Sequence, residues 1–352
     1  MSEVIIAGAS FAGLAAARAL GARALLLDRA PLGAGVTSAC GAPVSIVERM
    51  GAAASIRQRH DRVVIDVAGH AVTYPLPEPF CTFDYAELCR LAFAGSGASF
   101  LQASVRRIEE GTVFTSRGER AADFVIDATG PRSRLSAALR GRRVAFGIET
   151  EIPAPAADGL FFYFLPEVRD GYAWAFPCGQ VTRFGVLSYL GKTKLMGALQ
   201  SLIRRFGLRL GSIHGGYLAT GWQPPVAGNV FVAGDAAGQC LPLTGEGIRT
   251  AVLAGEQAGY FLRLVLEGKS SMEQAAGLYR NFVARERRRY RALLWGTAAV
   301  LAMPRPMLRI AAGALAQPQP LSWFLHRYLS ILSRGDQQSS AMGLSASGYY
   351  ST

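Results

Sequence analysis

Residues 4–28 read VIIAGASFAGLAAARALGARALLLD, and this stretch decides the fold. Val4 to Ile6 is a short apolar, β-branched run of the kind buried on both faces of a parallel sheet. A turn follows at Gly8, Ala9 and Ser10. Phe11 to Leu20 is Ala-rich and free of proline, which predicts a helix. A second apolar run, Ala24 to Leu27, ends in Asp28. Strand, tight turn, helix, strand and acid make the layout of a dinucleotide-binding βαβ unit. Gly8 permits the turn. Small Ser10, in place of the usual middle glycine, lets a pyrophosphate approach and offers a hydroxyl. Gly13 allows close helix packing. The helix start presents unpaired N–H groups to phosphate, and Asp28 stands where a carboxylate accepts from ribose hydroxyls. Other parallel α/β proteins carry Gly-rich turns; the N-terminal position with the acid in place makes this one specific.

The chain has 352 residues, half of them hydrophobic, enough for about two domains. Its net charge of +12 is carried almost wholly by arginine, with Lys only at 192, 194 and 269. No basic stripe interleaved with aromatics occurs, so nucleic acid ranks last among partners. Cys40, Cys81, Cys89, Cys178 and Cys240 show no C-x-x-C or Cys/His zinc spacing. That pattern fits a reducing cytoplasm without disulfides and without a metal site. No signal peptide is read ahead of the first strand, and no apolar run reaches the length of a membrane span. The expected location is the cytoplasm, with the inner face of a membrane as a further option.

Farther on, a Gly-rich loop runs from Pro31 to Gly41 and includes Thr37. Val44 to Met50 reads as a helix. Val63 to Val67 and Ala71 to Tyr74 read as a hairpin, Pro75, Pro77 and Pro79 as a loop, and Phe83 to Phe93 as a helix capped by Thr82 or Asp84. Ser99 to Gln102, Val105 to Glu109 and Phe124 to Asp127 read as strands. An antiparallel meander is expected at Leu160 to Leu165, Tyr172 to Phe176 and Phe184 to Leu190. Helices are expected at Lys194 to Phe206, at Ile248 to Leu266, and from Met272 onward with breaks at Pro304 and Pro306. His60, His70, His214 and His326 read mostly as surface or hairpin residues.

Three segments carry the chemistry. The first is the N-terminal fingerprint. The second is Phe124 to Gly130, FVIDATG, a buried strand ending in small residues. The third is VFVAGDAAG at 230–238 followed by LPLTGEGI at 241–248. Its strand delivers Asp235 to the carboxyl edge of a sheet, where an acid holds sugar hydroxyls. The Gly245-Glu246-Gly247 turn opens a helix whose first amides face an electron-rich group.

On these segments, with Cys40-Gly41 and GYAWAFP at 171–177, the chain resembles FAD-dependent oxidoreductases of the p-hydroxybenzoate hydroxylase fold. Within that fold it is most similar to the geranylgeranyl reductase family. The resemblance spans residues 1 to about 265. It implies an α/β fold in which a Rossmann-type FAD-binding domain (1–60, 82–143 and 222–270) is interrupted by an antiparallel-sheet substrate domain (61–81 and 144–221). C-terminal helices (271–334) and a polar tail (335–352) follow. It implies cofactor contacts from Gly8, Ser10, Phe11, Ala12, Gly13, Asp28, Arg29, Cys40, Gly41, Val105, Ala128, Gly130, Gly234, Asp235, Pro242, Gly245, Glu246, Gly247 and Ile248. Cys40 lies in a loop that the family places near the flavin, as proton donor, as tuning group or as packing residue. Thr129 stands where many aromatic hydroxylases of this fold carry Asp, and Phe80 where many relatives place Arg.

Tyr172, Trp174 and Phe176 alternate and so share one sheet face. They suit either a sheet core or the wall of a substrate pocket, with Phe162 counted in that wall and Phe161, Tyr163 and Leu165 as candidates on the neighbouring strand. The same segment echoes the W-x-W-x-I-P of flavin halogenases. Those depend on a lysine from the first domain, and the first lysine here is Lys192. The expected function is reduction of C=C bonds in a hydrophobic, isoprenoid-type substrate, with NAD(P)H or another reductant as electron donor. The alternatives are a flavin monooxygenase acting on a hydrophobic natural product or quinoid compound, and an electron-relay flavoprotein. Arg285 to Met303, basic and then apolar, reads as a helix on the FAD domain or as a peripheral membrane helix.

Overall fold

The computed structural model describes residues 4–35, 38–109, 111–131, 133, 135, 143–154 and 158–332. Thr37 and the polar tail lie outside them. In chain order, β1 (Val4–Ala7), α1 (Phe11–Leu20) and β2 (Ala24–Asp28) form the βαβ unit. Next come β3 (Gly41–Pro43), α2 (Val44–Arg49), β4 (Ile56–Val67), β5 (His70–Phe83) and α3 (Tyr85–Ala94). Strands β6 (Ser99–Gln102), β7 (Val105–Glu109), β8 (Thr112–Thr115), β9 (Gly118–Ala121) and β10 (Phe124–Asp127) follow. Then come β11 (Arg143–Ile152), β12 (Leu160–Phe164), β13 (Gly171–Cys178), β14 (Val181–Ser188), α4 (Met196–Arg205) and β15 (Ile213–Thr220). The chain continues through β16 (Val226–Ala227), β17 (Val230–Val232), α5 (Ile248–Leu266), α6 (Met272–Ala284), α7 (Arg287–Ala302), α8 (Arg305–Leu315) and α9 (Pro318–Leu329).

Among the described residues, the strands make a six-stranded sheet of order β16-β17-β10-β1-β2-β6 and an eight-stranded sheet of order β15-β11-β14-β13-β12-β4-β5-β3. A small β7-β8-β9 sheet stands beside them. In the first sheet β1 pairs in parallel with both β10 and β2, and β10 in parallel with β17. Val4, Ile5 and Ile6 are all buried, as a strand covered on both faces requires. The carboxyl ends of β1, β10 and β17 therefore come together at one edge, the place where open α/β sheets bind ligands. Helices α1 and α5 lie packed together over this sheet.

The structure corrects several expectations. The hairpin of β4 and β5 is far longer than Val63–Tyr74, and Pro75, Pro77 and Pro79 lie within β5. The ladder passes from Arg62↔Pro75 to His60↔Phe80, so residues 76–79 have almost no partners on β4. Pro77 and Pro79 sit there without removing ladder hydrogen bonds, while Pro75 stands at the edge of that stretch opposite Arg62. The expected domain boundaries at 60/61 and 81/82 fall inside β4 and β5, both strands of the eight-stranded sheet. The sequence reading also lacked β11, which pairs antiparallel with both β14 and β15. Helix α3 begins after Asp84, whose Oδ1 accepts from Glu87 N at 3.0 Å. That choice of cap is the one a short carboxylate makes well. Helix α6 opens with a full capping box at Ser271 and Gln274.

Candidate functional site

Local chemistry builds the nucleotide end. Gly8 has φ +107°, and a Cβ there would lie 2.2 Å from Ala128 O, so only glycine lets β1 close on the turn after β10. A Cβ at Gly13 would meet Gly8 O at 1.8 Å, which shows how closely α1 seats on that turn. The first amides of α1 have no intrahelical partners, and Phe11 and Ala12 border the cavity there. Asp28 accepts from Ala9 N (2.8 Å) and Ala30 N (2.9 Å). Its carboxylate thus shapes the fingerprint turn itself, beyond the sugar contact expected of it. Ser10 Oγ accepts from the Tyr85 hydroxyl at 3.0 Å, which ties the turn to α3.

The second turn is held by Asp127, which is fully buried and accepts from Thr129 N and Oγ1 (3.1 and 2.7 Å) and from Ser133 Oγ (2.5 Å). Thr129 therefore has a structural partner in place of the acid found in hydroxylases. At the third segment, Asp235 sits in the Gly234–Ala237 turn and its Oδ2 accepts from Ala219 N at 3.1 Å. Glu246 is clamped. Arg249 donates to both of its oxygens (2.8 and 3.1 Å), and the Tyr328 hydroxyl donates to Oε2 at 2.5 Å. Arg249 also donates to the carbonyls of Tyr328, Leu329 and Ile331. The end of α9 is thereby fastened to the cofactor-side turn, a long-range tie absent from any local sequence pattern.

One cavity of about 1100 Å³ joins these elements to the face of the eight-stranded sheet. Every residue expected to touch the cofactor lines it except Gly13, which lies beneath the turn, and Pro242, whose neighbours Leu243 and Thr244 take the lining role; Phe162, Tyr172, Trp174 and Phe176 of the expected wall line it as well. Arg29, Val105, Gly41, Ala128, Gly130, Gly234, Gly245, Gly247 and Ile248 all border it. The first turn of α5 opens on the same space as that of α1. The cavity therefore offers two helix N-termini, suited to anionic or electron-rich groups.

The far part is aromatic. Tyr172, Trp174 and Phe176 pack with Phe162, Phe164 and Leu160 on one sheet face. Phe162 stands opposite Trp174. Phe161, Tyr163 and Leu165, expected on this wall, instead face the other side, against Leu199, Leu202 and Ile203 of α4. The run LFFYF is apolar at every position, so alternation alone cannot tell its two faces apart. The Tyr172 hydroxyl donates to Thr244 O at 2.5 Å, and the Tyr189 hydroxyl donates to Leu243 O. These bonds lock the wall to the third turn.

A buried polar cluster, missed in the sequence, borders the wall. Glu149 Oε2 accepts from Trp174 Nε1 at 2.9 Å. Its Oε1 lies 3.5 Å from Arg183 Nη1 and 3.4 Å from His214 Nε2, and Arg183 also pairs with Glu151 at 2.6 Å. Val144, Phe146 and Ile148 alternate with Ala145, Gly147 and Glu149. That period of two puts Glu149 on the face of Ala145 and Gly147, and the cross-strand partners Trp174 and Arg183 make that face a covered one. His214 is thus no plain surface residue. Neither is His60, which is 2% exposed. His60 Nδ1 accepts from Gly159 N and its Nε2 faces Pro177 O at 3.1 Å; burial lowers its proton affinity. His70 and His326 are exposed as expected.

Cys40 is fully buried with φ +53°, and its Sγ donates to Ser38 O at 3.3 Å. Arg183 Nη1 donates to the same carbonyl at 3.3 Å. Burial pushes the Cys40 thiol far above the usual thiol range, so it stays a neutral S–H.

No family model matches the chain. Two curated relatives are named digeranylgeranylglycerophospholipid reductase. The one from Methanosphaerula palustris is 28% identical over 221 residues, 54% of each chain; the one from Methanothrix thermoacetophila is 36% identical over 97 residues, 25% of each chain. The matches thus span about half and a quarter of those relatives' lengths. A geranylgeranyl bacteriochlorophyll reductase-like protein from Thermoplasma acidophilum superposes with TM-score 0.82 at 18% identity, over 97% of this chain and 98% of that one. The p-nitrophenol 4-monooxygenase of Pseudomonas putida gives 0.76 at 16% identity, over 95% and 99%. At such identities the structural likeness speaks for the fold: a flavoprotein reductase and monooxygenase architecture. The chain is thus similar, over about half of their length or less, to curated digeranylgeranylglycerophospholipid reductases, and it shares its fold with flavin-dependent enzymes.

Proposed function

We propose that this chain binds FAD at the edge of the parallel sheet and reduces C=C bonds of a hydrophobic, isoprenoid-type substrate seated on the aromatic wall. The observation that carries this reading is the continuity of one cavity, from the fingerprint turn to Trp174 and Phe176. The curated relatives' names point the same way. The residues present fit the cofactor. Gly8 leaves room at the turn, Asp28 and Asp235 keep lone pairs for sugar hydroxyls, and two helix N-termini face the cavity. FAD, once reduced by NAD(P)H or another donor, supplies a hydride.

The chain's own residues do the rest. The first amides of α1 hold the pyrophosphate, and those of α5 favour negative charge beside the Gly245–Gly247 turn. Tyr172, Trp174, Phe176 and Phe162 exclude water and orient the alkene; an isolated alkene is a poor hydride acceptor, so orientation supplies much of the acceleration. The second alkene carbon takes a proton from Cys40, which faces the cavity as a neutral thiol, or from water. The substrate arrives from a lipid surface. Trp295, Met307, Ile310 and Trp323 are exposed on α7, α8 and α9, while Val300, Leu308, Leu321 and Phe324 of the same helices line the cavity. Exposed Arg288 and Arg291 lie about two turns and one turn before Trp295 on α7, and Arg327 stacks over Trp323 at 4.4 Å.

The test is an anaerobic turnover with chemically reduced holoenzyme and geranylgeranyl substrates, read by mass spectrometry. Gain of a hydrogen pair per double bond, with matching flavin reoxidation, is the expected result. Gain of an oxygen atom on readmitting air, with no anaerobic reduction, would replace this reading by the monooxygenase one.

A further inference from the structure

One row of the eight-stranded sheet runs beneath the aromatic wall. His214, Glu149, Gly185, Trp174 and Phe162 stand opposite one another on β15, β11, β14, β13 and β12. Residues in such a row share a face and touch their cross-strand neighbours. Gly185 is the bare position, and the Trp174 indole lies across it. A Cβ at Gly185 would sit 2.0 Å from Cζ2, 2.3 Å from Cε2 and 2.5 Å from Cη2. Gly147, diagonal to it, also leaves room: its Cβ would lie 3.5 Å from Cη2. On the far side of Gly185, Glu149 Oε2 takes the indole N–H at 2.9 Å. The other oxygen of Glu149 lies 3.5 Å from Arg183 Nη1 and 3.4 Å from His214 Nε2. The ring is pinned at its nitrogen and supported along its length by bare backbone.

We propose that Gly185 and Glu149 set the depth of the substrate pocket by laying Trp174 flat on the sheet, and that this depth selects a long isoprenoid chain over a short one. The proposal rests on the isoprenoid reading above. Its physical basis is clearance. Carbon atoms sit about 3.5–4.0 Å apart at contact, so even one methyl at 185 must lift the ring by about 1.5–2 Å. That lift breaks the bond to Glu149 and moves the indole into the cavity. A methyl-branched chain packed along the wall then loses room about equal to one methylene, a change worth roughly 10-fold in discrimination at an apolar site. A short chain, which leaves part of the wall uncovered, is spared. Glu149 also gains from the arrangement. A buried carboxylate beside an apolar wall is costly unless hydrogen-bonded, and the indole N–H supplies that bond at the cavity's edge.

The experiment is a fluorescence titration of holoenzyme with geranylgeraniol and with geraniol, in the wild type, Gly185→Ala, Glu149→Leu and the double variant Gly185→Ala/Trp174→Phe. FAD content and melting temperature are recorded alongside. The wild type should prefer geranylgeraniol. Gly185→Ala should weaken geranylgeraniol about 10-fold while geraniol changes less than about twofold. Trp174→Phe in the Gly185→Ala background should restore the preference, because the ring atoms that meet the new methyl are gone. Unchanged preference in Gly185→Ala, or equal loss of both ligands without rescue by the double variant, would overturn the proposal. Unchanged geranylgeraniol binding in Glu149→Leu would overturn the role given to Glu149. A wild type that binds neither alcohol would instead overturn the isoprenoid reading, and this proposal with it.

Discussion

Replacing Arg249 by methionine should cost the protein about 3–5 kcal/mol. Arg249 is 3% and Glu246 8% exposed at the side chain. The guanidinium makes a bidentate pair with Glu246 and donates to three carbonyls between Tyr328 and Ile331. Methionine fills much of the volume but leaves a buried carboxylate with the Tyr328 hydroxyl as its remaining side-chain donor at that end. Breaking one partner from such a pair typically costs about 3–5 kcal/mol. A chain of 352 residues unfolds with an entropy of about 0.7 kcal/mol/K at roughly 2.1 cal/mol/K per residue. The melting temperature should therefore fall by about 4–7 °C. Glu246→Gln in the same background removes the uncompensated charge and should recover at least half of the loss, a coupling of about 2 kcal/mol in a double-mutant cycle. The assay is thermal unfolding of the four proteins, with limited proteolysis after α9 as a second readout, since the three released carbonyls free that segment. A single variant that melts within about 1 °C of the wild type, or two changes that simply add, would refute this account of the clamp.

Asp235→Ala should weaken FAD binding by about 10–100-fold, because a charged acceptor for sugar hydroxyls is lost; flavin retained unchanged on gel filtration would contradict its placement. Acid should destabilise the protein partly through His60. Its lowered proton affinity means that the unfolded chain takes up the proton first, so its stabilisation is complete above about pH 6.5 and is lost as pH falls below that value. His60→Gln should flatten the pH dependence of the melting temperature over that range, and an identical slope in the variant would count against it. Binding to anionic vesicles should fall as salt rises and fall further in Trp295→Ser/Trp323→Ser, since screening acts within about 8–10 Å. Equal binding to neutral vesicles at every salt concentration would remove the electrostatic part of the docking.

What was legible in the sequence followed from short-range physics. Helices Phe11–Leu20 and Ile248–Leu266 and strand Phe124–Asp127 have the bounds expected of them, because apolar runs and glycine turns act within a few residues. The turns at the carboxyl edge of the parallel sheet were legible for the same reason: each of the three is a contiguous string. The aromatic wall was only half legible. Trp174 alternates with Tyr172 and Phe176, but LFFYF at 160–164 is apolar on both faces. The pairing of Phe162 with Trp174, a long-range register, decides which face sees the cavity. The same holds for Glu149, whose partners Trp174, Arg183 and His214 lie 25 or more residues away on three strands. A buried acid of this kind has no local signature beyond its place in an alternating strand.

Cys40 shows how the two kinds of information combine. The resemblance brought it to the flavin, and the sequence around it, T-S-A-C-G, says only that the backbone turns tightly. The structure adds the physical constraint. A positive φ aims the side chain inward, Ser38 O takes its S–H, and Arg183 reaches the same carbonyl from the substrate sheet. The thiol thus sits where the cofactor-side loop and the aromatic wall meet, and its neutrality follows from burial there. If that junction positions the loop, Arg183→Met should displace it and lower alkene turnover even though Arg183 does not line the cavity. Cys40→Ser, which keeps the donor and the loop, should retain FAD and most of the stability. Loss of turnover in Cys40→Ser with Arg183→Met unaffected would locate the effect in the sulfur rather than in the loop.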